Sequence, residues 1–301
     1  MGFGIDKQTL DELNLLGKFR NGSVYNLFNQ VKTRGGEQLL DKIFRLPLED
    51  AAQINERTSI FGFFQKEQLA FPVDTQQVGL MREYLDYGGT KNILGVFAGT
   101  IVKRVLSSLT RDDRYKKNIQ GLQSVIAVMN KCFYFLETMP AIPGPYAERV
   151  KTIRAILADK RIARLRDIDI YQSMPIKTLV YYNHLLKTKL QNEVEDVLSF
   201  IYEIDVNINV STIARNKGFV FAEALSPEQN VFSAIDLRHP SVDKAIGNSL
   251  ELAENSNVLF LTGANMAGKS TLMKSVGISL YFIVKIACSS SRYINGFAIG
   301  K

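Results

Sequence analysis

The strongest constraint on this chain is a run of eight residues near its end. Gly263-Ala264-Asn265-Met266-Ala267-Gly268-Lys269-Ser270 fits the spacing G-x-x-x-x-G-K-[ST], and Thr271 follows. Glycines at the two ends let the backbone curl, so that successive N–H groups converge while the next helix aims its positive end at the same point. A phosphate chain is the ligand such a cradle accepts. Lys269 reaches the β- and γ-phosphates as a point charge, and the Ser270 hydroxyl is the expected magnesium ligand. The flanks agree with this reading. Val258–Thr262 is an unbroken apolar run of the kind that forms a buried strand. Leu272, Met273, Val276 and Leu280 then mark one face of a helix from Lys269 to about Ala287. The expected cofactors are ATP or ADP with Mg2+.

Upstream of this unit most of the chain reads as helix. Leu39, Leu40 and Ile43 mark a face of Gln38–Arg45, which Pro47 ends. Ile93–Leu109 repeats the pattern through Phe97, Ile101, Val105 and Leu109, and Ile119–Phe135 follows. After the break at Pro143–Pro145, two further helical runs cover Tyr146–Leu165 and Ile176 to about Ile213. The texture then changes. Gly218–Ala224 and Ser233–Leu237 are short, β-branched or aromatic segments that read as strands. The expected fold is a mainly α-helical domain over residues 1–225, followed by a partial α/β P-loop domain over residues 226–301.

One part of a hydrolytic site is missing from the pattern. A P-loop NTPase needs an acid on a later strand to hold the magnesium and position water. No Asp or Glu follows Lys269. Phe200-Ile-Tyr-Glu203-Ile-Asp205 joins apolar residues to acids, but it lies in a helical pattern. The sequence ends at Lys301, before a doubly wound sheet could be completed. The expectation is a fragment cut before the Walker B strand, with no catalytic residue of its own and weak or absent hydrolysis.

Composition narrows the class. The chain has 301 residues, 46% hydrophobic and 22% charged, which excludes disorder and fibrous folds. The apolar stretch Val276–Val284 stops at Lys285, far short of the roughly 20 residues a membrane span requires. Met1–Asp6 lacks the basic and apolar regions of a signal peptide. Cys132 and Cys288 are far apart and form no metal-binding pattern, so a reducing, cytoplasmic setting is expected. The net charge of +7 mildly favours a polyanionic partner. A local cluster says more: Arg149, Lys151, Arg154, Lys160, Arg161, Arg164 and Arg166 face one acid, Asp159. Such a cluster suits phosphate-backbone contact, although a solvated helix face has the same composition. Lys103–Lys117 is a second basic stretch. His239 reads as a hydrogen-bonded residue before a turn.

The residues Thr262-Gly-Ala-Asn-Met-Ala-Gly-Lys-Ser-Thr271 resemble the MutS family of DNA mismatch-repair ATPases, whose P-loop carries Asn and Met at the positions of Asn265 and Met266. Three more segments agree in order: Thr33-Arg-Gly-Gly with Leu39-Leu40, Pro47-Leu48 and Ile54-Asn-Glu-Arg57; Glu203-Ile-Asp205 with Ser211–Ala214; and Arg238-His239-Pro240. The resemblance implies a helical core and lever region over residues 1–225 and the opening part of an ABC-type ATPase domain thereafter. It further implies nucleotide binding coupled to double-stranded DNA, a homodimer, and a nucleotide flanked by Ile246 and Asn248. Many members stack an aromatic ring on adenine where this chain offers Ala245 and Ile246. Two other readings of the residues stay open. One is a P-loop kinase or signalling NTPase with a helical protein-binding domain; the other is a non-catalytic dimerisation fragment.

Overall fold

The computed structural model describes residues 6–16, 23–48, 50–87, 93–109, 113–242, 244–264, 268–289 and 293–297. Among them the fold is mostly helical, and capping residues set where helices begin. Asp6 accepts from the Thr9 N–H to start α1 (Lys7–Glu12), and Ser23 accepts from the Asn26 N–H to start α2 (Val24–Phe28). Thr33 caps α3 (Arg34–Arg45), Asp50 caps α4 (Ala51–Glu67), and Asp74 caps α5 (Thr75–Asp86). Helix α6 (Ile93–Leu109) has the bounds its periodicity predicts, but Phe97 and Ile101 on its apolar stripe are exposed. Helix α7 (Arg114–Thr138) extends the expected run at both ends.

Two expected long helices are each divided. Helix α8 (Tyr146–Ala158) stops at Asp159, whose carboxylate accepts the Arg161 N–H at 2.8 Å and so starts α9 (Lys160–Ala163). A short polar side chain that can bond a nearby backbone N–H favours a new N-terminus over continuation. The second division follows α10 (Ile176–His184). There Leu185–Lys189 forms a π turn, closed by the Leu190 N–H on the Leu185 carbonyl at 2.9 Å, before α11 (Gln191–Lys217) begins. The wider turn leaves Leu185, Leu186 and Leu190 buried. It also brings the Lys187 ammonium 3.8 Å from the Tyr84 ring centroid, where it donates to the Tyr87 carbonyl at 2.8 Å.

Helix α11 has 27 residues, about 40 Å at 1.5 Å per residue, and the other helices are arranged along it. Its first half joins α5 and α7 in a core that includes Met81, Leu122, Met129, Leu198 and Phe200. Its second half joins α2 and α3 through Phe28, Leu40, Phe44, Val210 and Ala214. Between these clusters Asp205, 3% exposed, fixes the start of α3. Its carboxylate accepts the Lys32 N–H at 3.0 Å, the Thr33 N–H at 2.7 Å and the Thr33 hydroxyl at 2.7 Å. The Thr33 hydroxyl in turn accepts the Gly36 N–H at 3.0 Å. A Cβ on Gly35 would lie 2.2 Å from the Tyr202 ring, and one on Gly36 would lie 2.6 Å from the Asp205 carboxylate. The Thr-Arg-Gly-Gly segment is thus shaped by the close approach of α11.

The remaining elements are β1 (Val220–Phe221), β2 (Phe232–Leu237), β3 (Asn248–Leu252), α12 (Lys269–Ile286), β4 (Cys288–Ser289) and β5 (Tyr293–Phe297). Strand β2 is central to a three-stranded antiparallel sheet, pairing Phe232 with Leu252 of β3 and Ile235 with Tyr293 of β5. Strands β1 and β4 pair antiparallel, with Phe221 opposite Cys288. The expected buried strand at Val258–Thr262 is not formed. Val258 is 66% and Phe260 87% exposed, and no pairing involves this run among the described residues. An all-apolar strand is stable when strands flank it and layers cover both faces; here β3 and β5 take both edges of β2. The expected α/β arrangement is therefore, among the described residues, a small antiparallel sheet beside α12. No helix among them is long and apolar enough to cross a membrane.

Removing a buried, hydrogen-bonded carboxylate leaves its donors unsatisfied. Asp205→Ala is expected to cost about 1–3 kcal/mol for each donor left buried without a partner, read as a lower urea midpoint. Glu195→Ala, which removes a half-exposed partner of Arg82, should cost no more than about 1 kcal/mol.

Candidate nucleotide site

The loop that opens α12 has the backbone its glycines allow. Gly263 has φ of 148° and Gly268 has φ of 85°, both in the region that favours glycine. Gly268 is the N-cap of α12, and Lys269 is the first residue of the helix. The Lys269 ammonium turns back over the loop. It donates to the Ala264 carbonyl at 2.8 Å and also to the Gly263 carbonyl. One side chain thereby bridges the first two residues of the loop and the start of the helix. Ser270 and Thr271 lie in the first turn, and the Thr271 carbonyl accepts the Ser275 hydroxyl at 2.8 Å. Asn265, Met266 and Ala267 lie outside the described residues.

The described ends of the loop carry features that a phosphate site uses. Positive-φ glycines bound the loop, a helix of 18 residues points its N-terminus at it, and a cation and a hydroxyl sit in the first turn. Among the described residues, no group of three or more His, Cys, Asp and Glu assembles a separate metal centre.

The other predicted residues are less closely gathered. Ile246 is 87% exposed, and Asn248 at the start of β3 donates to the Ile246 carbonyl at 3.3 Å. No hydrogen bond links either residue to the loop among the described residues. His239 Nδ1 accepts the Ser241 N–H at 3.3 Å, as expected for a residue before a turn. Burial, reinforced by Lys274 of α12, lowers its pKa and favours the neutral ring that can accept this bond. Glu203 and Asp205 do not belong to the site. Glu203 pairs with Arg149 at 3.0 Å and accepts from the Tyr146 hydroxyl at 3.0 Å. A cleft of about 370 Å³ at Arg57, Tyr146, Glu203 and Asn207 is lined by no residue of the loop.

The basic cluster is partly internal. Besides Arg149, the structure engages Arg154 with the Leu136 carbonyl at 2.6 Å, Arg161 with Asp159 at 2.8 Å, and Lys151 with Glu148 at 3.4 Å. Arg166 lies 4.0 Å from the Phe133 ring centroid. Lys160, Arg161 and Arg164 remain exposed at α9 and the turn after it. In the second basic stretch, Lys103–Lys117, residues 110–112 lie outside the described residues. Cys132 is buried, and burial pushes its thiol up to about 12, which removes it from redox chemistry.

The similarity is to MutS. DNA mismatch repair protein MutS of Bacillus cereus (strain B4264) is 26% identical over 185 residues, which are 55% of this chain and 20% of the relative. The same protein from Bacillus thuringiensis (strain Al Hakam) matches with equal identity and coverage. No family model matches the chain. The matched region spans about a fifth of the length of these curated relatives, and the relationship is a distant, MutS-like one.

Sequence reasoning missed the far end of α12. Lys285 reads as the residue that ends an apolar run, yet it is 4% exposed and donates to the Arg45 carbonyl at 3.0 Å. A lone lysine on an otherwise apolar helical stretch was the available signal. Burial, with Arg57 nearby, pushes Lys285 down to about 8, and burial, with Lys103 nearby, does the same to Lys187. Between about pH 8 and the ordinary lysine value the unfolded chain holds these protons and the folded chain does not, so stability rises with pH across that window. Urea midpoints should accordingly increase from about pH 7.5 to about pH 9.5, and the increase should shrink in Lys187→Met.

Proposed function

We propose that this chain is part of a MutS-like, ATP-binding protein that acts on DNA, in mismatch repair or a related DNA transaction. In this reading residues 1–225 are a helical core and lever region, and residues 226–301 are the first part of a P-loop ATPase domain. The observation that carries it is the loop itself, with glycines in the left-handed region at both ends and Lys269 turned over it. Similarity to MutS supports the DNA side of the proposal.

The Gly263–Gly268 backbone and Lys269 take the phosphates, Ser270 takes Mg2+, Thr271 completes the first turn, and Ile246 and Asn248 stand on the approach to the nucleoside. The metal supplies charge neutralisation on the β- and γ-phosphates. Double-stranded DNA is the proposed macromolecular partner, with Lys160, Arg161 and Arg164 as backbone contacts, and the parent ATPase works as a homodimer. A P-loop kinase or signalling NTPase is the second reading. What favours it is that Arg149 and Arg154 of the basic cluster are already engaged within the chain.

Titration with a fluorescent ATP analogue and Mg2+ tests the loop: Lys269→Ala should abolish binding, and unchanged affinity would refute the assignment. Salt tests the partner. Affinity of the full-length protein for duplex DNA should fall steeply between about 50 and 200 mM salt, and Lys160→Glu with Arg164→Glu should reduce the log–log slope by about 2. Absence of duplex binding at low salt would overturn the DNA reading and leave the second one standing.

A further inference from the structure

The two ends of α12 have different attachments. Its first residue, Lys269, is bonded to the loop, while its last turns are bonded to the helical region. Tyr281 donates its hydroxyl to the Phe44 carbonyl at 2.8 Å, and the Leu48 N–H donates to the Val284 carbonyl at 2.8 Å. Lys285 donates to the Arg45 carbonyl at 3.0 Å, and the Arg57 guanidinium donates to the Lys285 carbonyl. Thr58 adds bonds to the Ala222 carbonyl at 2.9 Å and the Ala287 carbonyl at 3.4 Å. The intervening helix has 18 residues, about 27 Å of regular hydrogen-bonded rod.

The two cations, Arg57 and Lys285, have no ion-pair partner among the described residues. What they meet instead are carbonyls in the last turns of helices. Lys285 of α12 serves the end of α3, and Arg57 of α4 serves the end of α12. A helix C-terminus carries about half a negative charge, so each cation is stabilised by a helix end rather than by a carboxylate. The two contacts meet at Lys285, one at its ammonium and one at its carbonyl, so a shift of α12 along or about its axis strains both, and Lys285 is nearly sealed from water.

We propose that Arg57 and Lys285 are positioning residues that couple the 263–271 loop to the helical core, by clamping the end of α12 opposite the loop. The proposal rests on the nucleotide reading of that loop for its biological meaning. A change at the loop turns or shifts the first turn of α12; the rod carries the displacement; the paired caps convert it into a change at the α3–α4 junction. Without the caps the helix end keeps only the neutral Tyr281, Leu48 and Thr58 bonds, and the response of the junction is lost or strongly reduced.

The experiment is amide hydrogen exchange on the full chain, read over residues 42–48 and 53–60. The loop is perturbed in two separate ways: by ADP with Mg2+, and by Lys269→Ala without nucleotide. Each perturbation is expected to change exchange at the junction by about fivefold or more, the low end of ordinary coupling. Arg57→Gln should lose that response while Arg57→Lys, which keeps the charge and a donor, should retain part of it. Lys285→Gln removes the other cap and should give the same loss. Tyr281→Phe, which leaves both cations in place, should respond like the wild type. A response in Arg57→Gln and Lys285→Gln equal to that of the wild type, or no response to Lys269→Ala in the wild type, would overturn the coupling. Failure of ADP to bind would count against the nucleotide reading alone, because the Lys269→Ala arm needs no ligand.

Discussion

Asp205 is a carboxylate placed where an acid is costly, deep in α11 and nearly sealed from water. It is tolerated because it meets the N-terminus of α3, where two backbone N–H groups and the Thr33 hydroxyl converge on it. The rest of the structure depends on this junction. It requires two successive glycines, since Tyr202 and Asp205 occupy the space that side chains would need. It also sets the direction of α3 and hence the place of Phe44 and Arg45 at that helix's other end. Those two carbonyls are what Tyr281 and Lys285 grip. The loop-bearing helix is thus oriented by a contact made at residue 205, far away in the sequence.

Helices were legible where spacing and stop signals are local. The Phe97–Leu109 periodicity predicts α6 with its observed bounds, Pro47 follows α3, and the Lys269 helix runs to Ile286. The errors have a common cause, competition from interactions the spacing does not encode. Asp159 prefers to cap the next turn, and Lys187 reaches Tyr84 and Tyr87 through an added residue in the turn. Val258–Thr262 has strand composition, but pairing depends on partners elsewhere, and β2 already has both of its own.

The candidate site divides along the same line. Gly263, Gly268 and Lys269 could be read because their roles depend on backbone conformation and one side chain, all within seven residues. Arg57 and Lys285 could not, since they lie 228 positions apart and act on carbonyls, which every residue has. Glu203 and Asp205 show the converse. These acids follow an apolar run but lie in a helical pattern, and the structure uses them to fasten helices.

The exposed run Val258–Phe260 carries a consequence of its own. Its backbone amides and carbonyls are unpaired by any strand among the described residues, and its apolar side chains face water. A segment in that condition is an open template: any second extended chain can lie alongside and complete both the hydrogen bonds and the apolar cover. An exposed apolar run of this kind is where contact with a second chain, or with a further part of the same polypeptide, would bury most at least cost to the core.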